Sequence, residues 1–177
     1  MTLARLGAPK MHRSMKPEPK ATTSRLMAID IDASITLGQS PDAVHERKAA
    51  IYDLLEDNFF NLKNGVAGPY HLILSSQSTK LVLDVRDQKK QPIIAFGLSL
   101  TPFRVVVRDY FHICESYYDA VRNANPAQIE TIDMARRGIH NDGSEILRER
   151  LSGKAEMDMH TARRLFTLVC SLLWQGN

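Results

Sequence analysis

The chain has 177 residues, is 44% hydrophobic and 24% charged, and carries a formal net charge of +3. That length suits one domain with a buried core, and that composition excludes a collagenous or low-complexity protein. The charge is uneven: residues 1–25 hold Arg5, Lys10, Arg13, Lys16, Lys20 and Arg25 against Glu18 alone, a balance of +5, so the remaining residues sum to −2. A slightly acidic body argues against specific nucleic-acid binding.

Residues 1–24 read as a disordered basic tail, with Pro9, Pro17 and Pro19 and few large apolar residues. They hold no secretory signal pattern, and Met11, Met15 and Met27 leave a later start open. Residues 25–177 read as a single α+β domain. Leu26 to Ile31 is its first strand. Ser40-Pro41, Thr101-Pro102 and Asn125-Pro126 each place a capping side chain before proline, which needs no N–H at the first helical position. The first helix should run from Pro41 to Asp57 with Val44, Ile51, Leu54 and Leu55 inward. Tyr70–Leu74, Leu81–Val85 and Ile93–Leu98 are strands joined by short polar loops, hence an antiparallel meander.

The second helix, Pro102 to Arg122, has the stripe Val106, Tyr110, Ile113, Cys114, Tyr117 and Val121, widened by Phe103, Val107, Phe111 and Tyr118. The third starts at Pro126 behind a capping box, Asn125 with Gln128, and keeps helical spacing to about Leu151. It is read as one helix in spite of Gly138 and Gly143, whose small size would let a neighbour approach. The fourth, His160 to Trp174, is nearly all apolar and therefore buried. Its run from Leu165 to Trp174 is too short to span a membrane. Cys114 and Cys170 lie in apolar helical patterns and read as small buried hydrophobes, consistent with a cytoplasmic location. The expected fold is α+β: an antiparallel sheet of about four strands with about four helices packed on it, ordered strand, helix, three strands, three helices.

Four polar groups bear on chemistry. Asp30-Ile31-Asp32-Ala33-Ser34 resembles the DxDxT signature of haloacid-dehalogenase-like phosphatases. That fold needs a parallel sheet, which the hairpins oppose, so both aspartates read as solvent-facing residues at a strand end. His112 and Glu115, with Arg108 and Asp119 on their face, fall short of the three or four ligands a metal needs and read as a polar stripe. His45-Glu46-Arg47 reads as a solvated helix face. The densest group is Ile132 to Arg148 in the third helix. There Asp133 and Arg137 stand four apart, as do Arg137 and Asn141. Such pairs lace a surface helix at a few tenths of a kcal/mol each, or about that. Arg136, Arg137, His140 and Asn141 also form a donor-rich surface for a phosphate or carboxylate, with Glu46 and Arg47 in support. His140 is the candidate acid or base. No phosphate loop, GxSxG, HExxH or zinc-type cysteine spacing occurs, so neither a metal nor a cofactor is expected.

SPDAVHERKAAIYDLLEDN, AGPYHLILS, RDYFHICESYYDAVR, PAQIETIDMARRGIHNDGSEIL and TARRLFTLVCSLLW resemble an uncharacterised protein family of alphaproteobacteria, over roughly Leu26 to Gln175. The resemblance implies a cytoplasmic housekeeping setting and transfers no catalytic residue. Two functions follow as expectations. One is a non-enzymatic binding or regulatory module with a protein or small anionic partner and no membrane. The other is an enzyme or sensor for a phosphorylated or carboxylated metabolite, acting through the third-helix cluster.

Overall fold

The computed structural model describes residues 23–174. The segment read as a tail lies outside the described residues apart from Thr23 and Ser24. The elements run β1 (Leu26–Ile31), α1 (Pro41–Glu56), β2 (Phe60–Leu62), β3 (Tyr70–Gln77), β4 (Lys80–Arg86), β5 (Pro92–Ser99), α2 (Arg104–Asn123), α3 (Pro126–Leu151), β6 (Ala155–Met157) and α4 (Met159–Leu173).

The main sheet has the order β1-β3-β4-β5. β3, β4 and β5 form the expected antiparallel meander. β1 enters parallel to β3, which makes the sheet mixed. The physical reason is α1: a parallel neighbour needs a long crossover, and the segment from Asp32 to Pro69 supplies it. Alternation sends Leu72, Leu74, Leu81, Leu83 and Val85 into the core, while Ile73, Val82 and Asp84 face the other way and stay partly exposed. β2 and β6 pair as a separate two-stranded ribbon that the sequence reading did not include.

Two helix starts behave as read. Ser40 Oγ accepts from the Ala43 amide, and Asn125 with Gln128 forms a complete capping box. Thr101 departs from expectation: Thr101–Phe103 is a 3₁₀ turn without a side-chain cap, and α2 begins at Arg104. A third side-chain cap is Asp158, which accepts from the Thr161 amide. α3 is one helix of 26 residues. A Cβ on Gly143 would collide with the Phe166 ring, whereas one on Gly138 would meet open space. Gly143 is thus the point where α4 closes on α3.

α4 buries Leu165, Phe166, Leu168, Val169, Cys170 and Leu172, and it packs against both α1 and α3. α2 buries Val107, Cys114 and Ala120 but leaves Tyr118 and Val121 exposed, and the 3₁₀ turn ahead of it buries Phe103. In α1 the fully buried positions are Ala43, Ala50 and Leu54, with Val44, Ile51 and Leu55 at the margin. Sheet and helices share one connected core. Asn58 joins its edges by bonding the Leu26 amide (2.7 Å), the Leu26 carbonyl (3.0 Å) and the Leu54 carbonyl (2.6 Å). Among the described residues, no helix is long and apolar enough to cross a membrane.

Candidate functional site

The third-helix cluster is bonded mainly within itself. Asp133 accepts from Arg136 at 2.6 Å and from Arg137 at 2.5 Å. Arg136 also lies 5.0 Å over the Tyr117 ring, so its guanidinium packs against α2. Arg137 points outward, with 71% of its side chain exposed. Asn141 Oδ1 accepts from Arg163 Nε of α4 at 2.9 Å.

His140 turns inward. Its ring stands 5.3 Å from Tyr110 and 5.4 Å from Phe166, centroid to centroid. Its Nε2 is 2.9 Å from Thr167 Oγ1, whose one proton goes to the Arg163 carbonyl. That assigns Nε2–H as donor and leaves Nδ1 unprotonated. Burial, aided by Arg136 and Arg163, pushes the His140 pKa down to about 4. At neutral pH this is an uncharged ring in an aromatic slot.

The two supporting residues on α1 lie elsewhere. Glu46 faces α2, close enough to raise the Cys114 thiol and the Tyr118 hydroxyl, although burial is the larger cause for both. Arg47 donates to the Gly38 carbonyl at 2.5 Å, while the Gly38 amide donates to the Trp174 carbonyl at 2.8 Å. Gly38 has φ +67, and a Cβ there would collide with the Ser171 carbonyl oxygen. Only glycine fits both the left-handed backbone and the close approach. This latch fixes the loop after β1 against the end of α4.

The strand-end aspartates serve local structure. Asp30 accepts from buried His71 at 2.7 Å, and Asp32 accepts from the Ser34 amide at 2.8 Å. Among the described residues, no three His, Cys, Asp or Glu side chains converge in a metal-binding arrangement.

A groove of about 820 Å³ lies at the far end of the sheet. Its position follows from topology. β5 is antiparallel to β4 and so runs with β1 and β3, and all three strands leave the sheet at one end. There the Leu100 amide donates to the Thr79 carbonyl (3.0 Å), and the Ser76 amide donates to Ser34 Oγ (2.9 Å). Crevices outside the carboxyl ends of strands are recurrent ligand sites.

One wall of the groove is α2, which places Arg104, Arg108, His112 and Glu115 in a row beside Val107 and Phe111. The opposite wall is the loop Ile35–Leu37 with the β3–β4 turn, and the floor includes Leu81, Leu172 and Trp174. Trp174 packs on Phe111 at 4.5 Å between centroids. Arg108 is paired with Asp109 at 3.0 Å. Arg104 is exposed and has no ion pair among the described residues. His112, Glu115 and Arg108 had stood out in the sequence only as a polar stripe. Arg104, Ser78, Thr79 and Trp174 carried no signal, because only the tertiary fold brings them together.

Residues 23–175 match the model of an uncharacterised protein family, UPF0262. The chain belongs to that family. Similar UPF0262 proteins include one from Hyphomonas neptunium, 57% identical over 84% of this chain and 92% of its own length. One from Xanthobacter autotrophicus is 50% identical over 92% of this chain and 100% of its own. One from Rhodospirillum rubrum is 51% identical over 87% and 95%. No solved structure matches. UPF0262 membership brings no established activity.

Proposed function

We propose that this UPF0262 protein is a non-enzymatic binding module whose site is the groove between α2, the β1–α1 loop and the β3–β4 turn. The observation that carries this reading is the groove itself: apolar side chains from α2 and α4 together with hydroxyl and guanidinium groups line one crevice, at the end where three strands exit. Small-molecule sites have this make-up and fall in the range of about 300–1,000 Å³. The best acid/base candidate by sequence, His140, is neutral at pH 7 and committed to Thr167 and two rings. A thermal-shift screen of the full chain against anionic metabolites tests the reading. A ligand at 100 times its Kd should add about 2.7 kcal/mol of stability, and mass spectrometry should recover it unchanged. Conversion of a stabilising ligand into product would refute the non-enzymatic role.

A second reading places an enzyme or sensor site for a phosphorylated or carboxylated metabolite at Arg136, Arg137, His140 and Asn141. It is favoured by charge: Arg136, Arg137 and Arg163 surround this part of α3, and Asp133 is the carboxylate bonded to the first two. A ligand-induced shift abolished by Arg137→Ala and kept in Arg104→Ala would select this reading over the groove.

A further inference from the structure

We infer that the groove takes a small organic anion, with its carboxylate at Arg104 and an apolar body reaching toward Phe111 and Trp174; this rests on the groove being the binding site. The wall formed by α2 is graded in charge. Arg104 stands at its start, where the chain leaves β5, and is without a partner carboxylate among the described residues. Arg108 follows one turn on and has Asp109 as its acid. Glu115 is the acidic side chain in the lining and lies eleven positions from Arg104, about 16 Å along the helix. An anion is therefore attracted at the Arg104 end and repelled at the Glu115 end, which fixes the direction in which it lies.

The surfaces between those ends are apolar. Val107 and Phe111 continue the α2 wall from Arg104, and Phe111 is seven positions on, about 10 Å. Trp174 meets Phe111 there, and the Gly38 latch to the Trp174 carbonyl holds that corner in place. The β3–β4 turn adds the hydroxyls of Ser78 and Thr79, with the Thr79 carbonyl bonded to Leu100 just before α2 begins. A guanidinium beside hydroxyl donors matches a carboxylate, and the aromatic corner matches a hydrocarbon or ring.

The chain has one tryptophan, and it lines the groove, so its fluorescence reports on this site. The test titrates the full chain and its Arg104→Ala variant with decanoate, decan-1-ol and inorganic phosphate, and reads Trp174 emission. Expected is saturable quenching or shift with decanoate, weakened at least tenfold in Arg104→Ala, with decanol weaker than decanoate and unaffected by the substitution. Arg104 is exposed and without an ion pair, so its removal leaves the fold intact, and a thermal melt of the variant checks this. Equal binding of decanoate and decanol, indifferent to Arg104, would overturn the anion assignment and leave the groove as a site. Saturable binding of phosphate with none of decanoate would overturn the apolar body. No response to any probe, in emission or in melting temperature, would overturn the assignment of a carboxylate with an apolar body. A hit in the metabolite screen would then keep the groove reading alive, and its absence would remove that too.

Discussion

His140 offers a direct measurement of whether the α3 cluster is structural. Its pKa falls to about 4 in the folded protein, against 6.5 for a free histidine. The unfolded chain therefore takes up the proton first as pH falls. Stability is unaffected above about pH 7, declines between 6.5 and 4, and is fully reduced below 4. Linkage over that window amounts to about 3 kcal/mol, and about 2 kcal/mol is lost by pH 5. The ring is only partly buried, so solvent screening roughly halves the effect, to about 1 kcal/mol at pH 5. His140→Phe keeps a ring between Tyr110 and Phe166 and removes the titration, and Thr167 keeps its bond to the Arg163 carbonyl. Urea melts of both proteins at pH 7 and pH 5 should show the parent losing about 1 kcal/mol more than the variant. Equal losses, or an NMR titration of the ring near 6.5, would refute the aromatic-slot account and restore His140 as an accessible acid or base.

The two α3 glycines should respond in opposite senses. Gly143→Ala forces a methyl into the Phe166 ring and should cost about 1–3 kcal/mol in denaturant melts, whereas Gly138→Ala meets open space and should add up to about 1 kcal/mol of stability. Gly38→Ala combines a positive φ with a collision at the Ser171 carbonyl and should lower stability by about 2 kcal/mol or more, measured by the same melts. Asn58→Ala leaves the Leu26 and Leu54 backbone groups without their side-chain partner and should cost about 2–3 kcal/mol, with faster hydrogen exchange at the Leu26 amide as the local signature.

Local signals were legible where one residue does one local job. Ser40 and Asn125 could be read as caps because capping chemistry spans only three residues, and both caps are present. Thr101 carried the same dipeptide pattern, yet the chain leaving β5 turns too tightly there and forms a 3₁₀ turn instead. β2 and β6 have three residues each, too few to show alternation, and exist because they pair with each other. Asn58 looked like any loop asparagine, since its value lies in reaching β1, 32 positions away. The candidate site divided in the same way. Asp133 and Arg137 found each other along the helix as their spacing had suggested, while Arg136 joined the same carboxylate and Asn141 turned to Arg163 of α4 instead of Arg137. Arg104 and Thr79 are distant in sequence and line one groove only through sheet register, so no spacing rule could pair them.

The parallel entry of β1 is what creates the groove. Had β1 joined the sheet antiparallel, Asp32–Gln39 would leave at the opposite end and could not face the β3–β4 turn. With β1 parallel to β3, the loop after β1, the turn after β3 and the start of α2 after β5 all gather at one end. α4 finishes there too, where the Gly38–Trp174 bond ties its end to the β1 loop and the Arg47–Gly38 bond ties that loop to α1. Gly143 and Phe166 close α4 tightly against α3. A substitution at Gly143 should lower the protein's stability without altering probe selectivity. One at Arg104 should alter selectivity without unfolding it. That separation follows from a binding module and would fail for a site distributed through the core.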